Sequence, residues 1–215
     1  MNLFLYSALG VSVLLIGGLL WRLSSNRHKL PCPSWLAWLV ELDNPFAHAH
    51  KASSIIEALP IFDGIKILDI GCGPGRVALP LAQRIAEKNG WVTGLDIQHK
   101  MIEKTQAKAQ VLGLTNIDFI HGALDTINLN KNTYDVVLMV CILGEIPENE
   151  RVTALTSLAD AVKPNGIVSI TETIFDPHFQ KTQTVVDLMK KVGFVQKKFI
   201  GNKGAYTLHF EKQKS

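Results

Sequence analysis

Short runs of apolar and β-branched residues alternate with helix-like segments along most of this 215-residue chain, and this alternation restricts the fold more than any other feature. Seven runs predict β-strands, at residues 66–70, 91–95, 117–120, 134–141, 167–173, 194–200 and 205–210. Helix-like periodicity covers residues 77–88, 99–112, 148–162 and 182–192. Alternating strands and helices predict an α/β fold with a doubly wound, mainly parallel sheet.

The last two predicted strands break this pattern because only residues 201–204, Gly-Asn-Lys-Gly, separate them. Four residues are too few for a parallel crossover, so the two strands must form an antiparallel hairpin. The prediction is therefore a seven-stranded, mainly parallel sheet that ends in a C-terminal antiparallel hairpin. A turn at Lys163-Pro164-Asn165-Gly166 is expected just before the fifth strand.

The N-terminus carries no charged side chain before Arg22. Residues 3–21 are apolar enough, at about 1.5 Å of helix rise per residue, to nearly span a hydrocarbon core of about 30 Å. A secretory signal peptide is the alternative, but no basic residue precedes the run and no small-x-small cleavage site follows it. We therefore expect residues 1–22 to be a transmembrane helix. Arg22, Arg27 and Lys29 follow it, which predicts a single-pass membrane protein with its remaining residues on the cytoplasmic side.

Residues 23–45 are expected to link this anchor to a globular domain at residues 46–215. Pro31 and Pro33 stop any continuous helix, and large apolar residues then recur at helical spacing, at Trp35, Leu36, Trp38, Leu39 and Leu42. Such an amphipathic stretch either lies at the headgroup boundary or packs on the globular domain as an N-terminal helix. The neighbouring anchor slightly favours the first interpretation.

Composition excludes several classes of protein. The net charge of +3 lacks the basic excess of a nucleic-acid binder, and 47% hydrophobic residues exclude a disordered chain. The three cysteines, Cys32, Cys72 and Cys141, are odd in number and far apart. This pattern predicts neither a disulfide framework nor a metal site, and it gives little support to an arsenic substrate, which would call for a cluster of thiols.

The first predicted strand runs into a glycine-rich loop that reads Leu68-Asp69-Ile70-Gly71-Cys72-Gly73-Pro74-Gly75-Arg76. Its glycines allow a tight turn and a close approach of the backbone to a ligand. The helix that follows offers free N–H donors to negative groups. A dinucleotide fingerprint would need glycine or alanine where Arg76 stands, so the spacing is G-x-G-x-G instead.

A second carboxylate, Asp96, ends the second predicted strand 21 residues beyond Gly75. An acid at this position is placed to accept hydrogen bonds from both hydroxyls of a ribose. Ile97 follows it and is expected to lie against a flat purine. Single residues of these types also serve as ordinary caps and turn formers, but their combination favours a cofactor site.

These residues resemble the class I S-adenosylmethionine-dependent methyltransferases. The resemblance covers most of residues 48–212 and rests on the 68–75 loop, Asp96, Tyr134-Asp135 opening the fourth strand, and the Lys-Pro-Asn-Gly turn before the fifth. Within this family, the sequence is most similar to the small-molecule branch that includes the ubiquinone and menaquinone C-methyltransferases.

The resemblance implies S-adenosylmethionine as the cofactor. It places the methionine and ribose portions along the loop glycines, the amino group near Asp69 and the ribose diol on Asp96. The cofactor-binding residues expected from it are Asp69, Gly71, Cys72, Gly73, Gly75, Asp96, Ile97, Ala123, Leu124 and Cys141. Where the family often has Gly-Asp after the third strand, this chain has Gly122-Ala123, so adenine recognition is expected from backbone groups or from Asp125.

Methyl transfer requires alignment of the acceptor and, where the acceptor begins protonated, a base. The strand ends carry His121, Cys141, Glu145, Glu172, Asp176 and His178. Of these, Glu145 and His178 are the predicted catalytic residues. The alternatives are a helix-terminal acid at Glu145, a turn at residues 176–178, and a packed core thiol at Cys141.

The sequence therefore predicts a methyltransferase that acts on a small, lipid-soluble or membrane-associated acceptor, such as a quinone precursor or a lipid. No nucleic-acid partner is expected. An NAD(P)-dependent oxidoreductase and a non-catalytic nucleotide-binding module remain as alternatives. Arg76 and the closing hairpin disfavour the oxidoreductase.

Overall fold

The structure is a computed structural model and describes residues 48–213. Its seven strands are β1 (Lys66–Ile70), β2 (Trp91–Asp96), β3 (Ile117–His121), β4 (Tyr134–Val140), β5 (Val162–Thr173), β6 (Phe194–Asn202) and β7 (Ala205–Lys212). All seven runs of apolar residues predicted as strands are strands in the structure. Strands β2, β3, β6 and β7 end one or two residues later than predicted. The hydrogen bonds between neighbouring strands continue there past the last apolar side chain.

All seven strands lie in one sheet, in the order β3-β2-β1-β4-β5-β7-β6. The pairs β3–β2, β2–β1, β1–β4 and β4–β5 are parallel, whereas β7 is antiparallel to both β5 and β6. The predicted α/β sheet and its C-terminal hairpin are thus confirmed. The chain order reverses beside β1, and the carboxyl ends of the strands flanking such a switch point form a natural crevice.

The helices are α1 (Ala52–Glu57), α2 (Ala78–Ile85), α3 (His99–Val111), α4 (Arg151–Ala161) and α5 (Thr182–Lys191), with short 3₁₀ turns at His48–His50 and Ala86–Lys88. Helix α4 begins three residues later than its apolar stripe predicts. The chain first makes a turn after Pro147, whose carbonyl oxygen accepts hydrogen bonds from the N–H groups of Glu150 and Arg151.

The turn expected at residues 163–166 is instead a bulge within β5. Tyr134 pairs with Val162, and Val136 pairs with Ile167. Between these two pairs β4 has one residue whereas β5 has four, so β5 carries three extra residues. Asn165 takes a left-handed backbone conformation, with φ of 64°, to accommodate the extra residues.

Two apolar clusters cover the faces of the sheet. One contains Leu68, Ile70 and the hairpin residues Tyr206 and Leu208. The other contains Ile67 together with residues of α1 and α2. Alternate residues of β1 point to opposite clusters, as expected for a strand buried on both faces.

The predicted transmembrane helix at residues 1–22 and the whole of the linker at residues 23–45 fall outside residues 48–213. These predictions, and the cytoplasmic orientation that depends on them, remain predictions. Within residues 48–213, every helix is too short or too polar to cross a lipid bilayer.

Candidate functional site

A cavity of about 470 Å³ opens at the carboxyl ends of β1, β2, β3 and β4, beside the switch point of the sheet. This volume falls within the range of about 300–1,000 Å³ that is usual for small-molecule sites. Its lining includes Ile70, Gly71, Gly73, Leu95, Asp96, Ile97, Met101, Ala123, Leu124, Asp125, Cys141, Ile142, Glu145, Ile146 and Asp176. The lining thus combines apolar side chains with several carboxylates, and the sheet position is the one at which α/β proteins bind ligands.

The loop after β1 turns through left-handed backbone conformations at Gly71, Gly73 and Gly75, with φ of 69°, 52° and 88°. A Cβ at Gly73 would meet only the carbonyl oxygen of Gly71, at 3.9 Å, so this face of the loop is open to the cavity. A Cβ at Gly75 would lie 2.6–2.8 Å from side-chain atoms of Thr105 and Leu79. Gly75 therefore serves helix packing behind the cavity, whereas Gly71 and Gly73 line it.

Helix α3 fixes the glycine loop from outside. The Thr105 hydroxyl donates a hydrogen bond to the carbonyl oxygen of Gly73 at 2.7 Å, and the Lys108 ammonium donates to that of Pro74 at 3.2 Å. These bonds satisfy loop carbonyls that no strand pairs, so the loop is held in shape before any ligand binds.

Asp96, at the end of β2, is tied directly to the glycine loop. Its Oδ2 accepts a hydrogen bond from the N–H of Gly73 at 2.8 Å, and its Oδ1 accepts one from the N–H of Gln98 at 2.8 Å. Burial raises the pKa of Asp96, and these two N–H donors oppose the rise. Each carboxylate oxygen retains one lone pair beyond these bonds, so the side chain can accept two further hydrogen bonds.

Asp69 and Cys72 lie behind the cavity wall. The Asp69 side chain, 2% exposed, does not contribute to the lining, and Cys72 belongs to the apolar cluster beneath α2. Burial, opposed by Arg76, raises the pKa of Asp69 to about 7. Burial likewise raises the pKa of the Cys72 thiol far above its usual range. If these two residues contribute to cofactor binding, they do so by holding the backbone of the loop and not by contacting the cofactor with their side chains.

The remaining predicted contacts line the cavity on three sides. Ile97 lies next to Asp96, Ala123 and Leu124 follow β3, and Cys141 follows β4. Of the ten predicted cofactor residues, the structure places Asp69, Cys72 and Gly75 away from the lining. Ile97 is 57% exposed and lies at the cavity rim, so it has a free apolar face for a planar group.

Glu145 and Asp176 bring two carboxylates from separate loops to the cavity wall. The buried His178 lies behind them, with its Nδ1 4.0 Å from Glu145 Oε1 and 3.9 Å from Asp176 Oδ1. Asp176 also accepts a 2.6 Å hydrogen bond from the N–H of His178. Burial is the main cause that raises the pKa of Glu145 to about 8, and neighbouring Asp176 and Asp96 add to it. A carboxyl group with this pKa can exchange a proton near neutral pH.

Glu172 adds a third carboxyl group below this pair. It is 1% exposed, and its Oε2 accepts a 3.1 Å hydrogen bond from the N–H of Gln180. Its Oε1 has no hydrogen-bond partner among residues 48–213. Burial raises the pKa of Glu172 to about 8 against the lowering effect of the Gln180 N–H, and nearby Asp176 and Glu145 raise it further. In this part of the chain, no group of three or more His, Cys, Asp or Glu side chains is arranged to hold a metal ion.

A buried arginine holds the loop that carries Glu145. Arg151, at the start of α4, donates hydrogen bonds to the carbonyl oxygens of Ile146 at 3.0 Å and Gly144 at 3.4 Å, and to Gln180 Oε1 at 3.1 Å. A Cβ at Gly144 would overlap the carbonyl oxygen of His178. The loops after β4 and β5 are therefore locked together.

Cys141 leaves β4 in a left-handed conformation, with φ of 58°, which is costly for a residue with a side chain. Its Sγ lies 3.4 Å from Nε2 of His50, and the same imidazole lies 3.3 Å from Nη2 of Arg76. Burial and the neighbouring Asp176 and Glu172 raise the pKa of the Cys141 thiol well above its usual range, so the thiol stays protonated. Cys141 is therefore a neutral wall of the cavity.

Sequence reasoning missed His50, Arg151 and the part that α3 plays, through Met101, in the lining. These residues come from segments that carry no motif, and only tertiary packing brings them to the strand ends. The glycine loop, Asp96 and the acids after β4 and β5 were found because each immediately follows a recognisable strand.

Comparison with protein families gives one match to residues 67–166, the model described as a methyltransferase domain. An arsenite methyltransferase of Aquipseudomonas alcaligenes is 28% identical over 141 residues, which are 62% of this chain and 40% of that protein. A demethylmenaquinone methyltransferase of Bacillus pumilus is 29% identical over 126 residues, which are 59% of this chain and 53% of that protein. The chain thus spans about half or less of the length of these curated relatives.

Among solved structures, a S-adenosylmethionine-dependent methyltransferase from Aquifex aeolicus superposes with a TM-score of 0.73 at 19% identity, covering 84% of this chain and 99% of that one. The [4+2]-cyclase SpnF superposes with a TM-score of 0.65 at 16% identity, covering 75% and 79%. At these identities the superpositions establish the fold alone. The second shows that the fold also carries a different chemistry, so the reaction has to be argued from the site.

Proposed function

We propose that this chain, whose residues 67–166 match a methyltransferase domain, is a class I S-adenosylmethionine-dependent methyltransferase that transfers a methyl group to a small, lipid-soluble acceptor. The matched domain supports methyl transfer as the reaction, and the geometry of the cavity supports S-adenosylmethionine as the donor. The nature of the acceptor is argued below from the cavity and from the N-terminal sequence.

The observation that carries the proposal is the hydrogen bond between Asp96 and the N–H of Gly73, at the wall of the cavity. It fixes a carboxylate against Gly73, where an added Cβ would meet only the carbonyl oxygen of Gly71, at 3.9 Å. The two lone pairs left on Asp96 match the two hydroxyls of a ribose, and the cavity is large enough for a nucleoside. Residues present in the chain therefore fit the cofactor: Asp96 for the ribose, Gly71 and Gly73 for the adjoining portion, and Ile97 for the base.

When bound, S-adenosylmethionine supplies an electrophilic methyl group on a positively charged sulfur. The chain has to align the acceptor, exclude water and remove any proton that the acceptor loses. Glu145 lines the cavity and is suited to take that proton, because its pKa of about 8 lies near physiological pH. His178, the other predicted catalytic residue, lies buried behind Glu145 with its Nδ1 4.0 Å from Glu145 Oε1, and it does not line the cavity.

The acceptor we propose is apolar and carries a weakly acidic hydroxyl, as a hydroquinone does. Leu124, Ile142 and Ile146 give the cavity an apolar wall. A carboxylate with a raised pKa is a stronger base than an ordinary one, which suits an acceptor O–H of phenol-like pKa. The apolar N-terminal segment would keep the enzyme where such an acceptor dissolves. Cys141 is the one thiol that lines the cavity among residues 48–213, which gives less support to a thiol-bound arsenic acceptor.

Two measurements on the full chain in detergent test this proposal. Titration with S-adenosylmethionine should show saturable binding, and absence of binding at millimolar cofactor would end the proposal. Incubation with methyl-labelled cofactor and native membranes should place the label in the lipid extract. Label in protein, or cofactor binding without transfer to any membrane component, would instead indicate a different acceptor class or a non-catalytic binding module.

A further inference from the structure

We infer that one edge of the domain, beside the cavity, contacts the surface of an anionic phospholipid bilayer. This edge, here called the apolar rim, consists of Ile174 and Phe175 after β5 and the hairpin tip at residues 202–204. The inference rests on the proposed function, because it supplies the route by which a lipid-soluble acceptor would reach the cavity.

The rim exposes two consecutive large apolar side chains. Ile174 is 51% exposed and Phe175 is 50% exposed. The next residue, Asp176, lines the cavity, so the exposed pair lies one residue from the site. Exposed single apolar side chains are ordinary on soluble proteins, but an adjacent pair at a cavity entrance indicates a contact surface.

Backbone hydrogen bonds connect the two loops of the rim. The N–H of Ile174 donates to the carbonyl oxygen of Gly204 at 2.8 Å, which joins the two loops of the rim. Asn202 Oδ1 accepts from the N–H groups of Gly204 and Ala205 at 2.8 Å and 3.1 Å, which closes the hairpin tip. The backbone of the rim is therefore braced by hydrogen bonds within the hairpin tip and between its two loops.

The N-terminal end of the described chain lies on the same side of the molecule. The Thr207 hydroxyl donates a hydrogen bond to the carbonyl oxygen of Ala49 at 3.2 Å. The Ala49 Cβ lies 2.8 Å from the point that a Cβ of Gly201, next to the hairpin tip, would occupy. The start of the described chain, at His48–His50, therefore lies near the hairpin tip, and the apolar run at residues 3–21 precedes it in the sequence.

Positive charge accompanies the apolar pair. Lys203 is exposed at the hairpin tip, and Lys51 follows the segment that lies against β7. A lysine near an anionic leaflet contributes an attraction that corresponds to about a five-fold change in binding. Apolar side chains flanked by lysines match the headgroup boundary of an anionic bilayer, where each group finds its preferred surroundings.

Photocrosslinking in the full chain tests this inference. The protein is reconstituted into vesicles of phosphatidylcholine and phosphatidylglycerol with benzoylphenylalanine in place of Phe175. A matched control carries the same probe in place of Val111, which is 88% exposed at the end of α3, at the opposite edge of the sheet. After irradiation, lipid adducts at each position are counted by mass spectrometry, and cofactor binding is titrated on the same samples.

We expect at least ten-fold more lipid adduct at position 175 than at position 111, and several-fold less at position 175 in vesicles of phosphatidylcholine alone. Equal yields at the two positions, or a cross-link from position 175 to a second protein chain, would overturn the inference. An undiminished yield without phosphatidylglycerol would overturn the anionic character of the surface. Cofactor binding without lipid adducts refutes the rim alone, whereas adducts without cofactor binding refute the proposed function alone.

Discussion

Replacing Asp96 with asparagine tests the cofactor site most directly, because it changes one atom and keeps the size of the side chain. In the structure, each carboxylate oxygen accepts one backbone N–H at 2.8 Å and has one lone pair to spare. Asparagine keeps one accepting oxygen and replaces the other with an NH₂ group, which cannot accept a hydrogen bond. The variant Asp96→Asn should therefore lose one of the two hydrogen bonds to the ribose.

The expected loss follows from the strength of that bond. A hydrogen bond to a charged group contributes about 1.5–3 kcal/mol, which corresponds to roughly a 10- to 150-fold weaker affinity for S-adenosylmethionine. Asp96→Ala removes both acceptors, so its affinity should fall further. Asp96→Asn should also lose some folding stability, because the N–H of Gly73 or of Gln98 then faces an NH₂ group.

Isothermal titration of the full chain in detergent measures this effect. Asp63→Asn is the matched control, because the Asp63 side chain is 78% exposed and forms a 3.5 Å surface ion pair with Lys88. It should bind cofactor like the unmodified chain. If Asp96→Asn also binds within two-fold of the unmodified chain, while remaining folded by circular dichroism, Asp96 does not hold the ribose and the assignment of the site fails.

Three further perturbations probe the wall opposite Asp96. Glu145→Gln should slow methyl transfer by about 10²- to 10⁴-fold with cofactor affinity unchanged, and an unchanged rate would exclude Glu145 as the base. The unmodified enzyme should gain activity as pH rises toward about 8, because Glu145 then loses its proton. Glu172 holds its proton to about pH 8 when folded and to about 4.5 when unfolded, so the folded state binds more protons in this window and stability falls as pH rises through it. Glu172→Gln should remove that fall, so between pH 5 and pH 8.5 its free energy of unfolding should rise by on the order of 2–4 kcal/mol relative to that of the unmodified chain. Urea denaturation at the two pH values measures this difference, and parallel pH profiles would refute it. Gly144→Ala should lower the free energy of unfolding by about 1–3 kcal/mol, because the added methyl group overlaps His178. In the control Gly113→Ala, no atom lies within 4 Å of the added Cβ, so the only loss should come from the strain of its left-handed backbone. Thermal denaturation measures both variants.

The bulge at residues 163–166 shows where local signals mislead. Pro164, Asn165 and Gly166 are turn formers, and a turn was the natural prediction. The neighbouring strand β4 keeps pairing on both sides of the insertion, so the chain absorbs these residues without leaving the sheet. Pairing with a partner distant in sequence overrides local turn preference here, because ladder hydrogen bonds on each side cost more to lose than a bulge costs to form.

Local sequence patterns are enough to predict the order and type of the elements, the hairpin at the C-terminus, and the residues that stand at strand ends. These features are local, since periodicity, glycine spacing and a four-residue connection each act over a few neighbouring positions. Gly71, Gly73 and Asp96 could be found this way because parallel strands bring their carboxyl ends to one edge, whatever the details of packing.

Long-range packing, in contrast, sets which of these residues face the cavity and how strongly the pKa values of the carboxyl groups are raised. Asp69 and Gly75 belong to the same motif as Gly73, yet neither lines the cavity, and Gly75 packs against Thr105 and Leu79 instead. Glu145 has its raised pKa because burial removes water from it and Asp176 arrives from another loop. Burial and the meeting of like charges depend on residues far apart in the chain, so they arise only when the sheet and its helices have assembled.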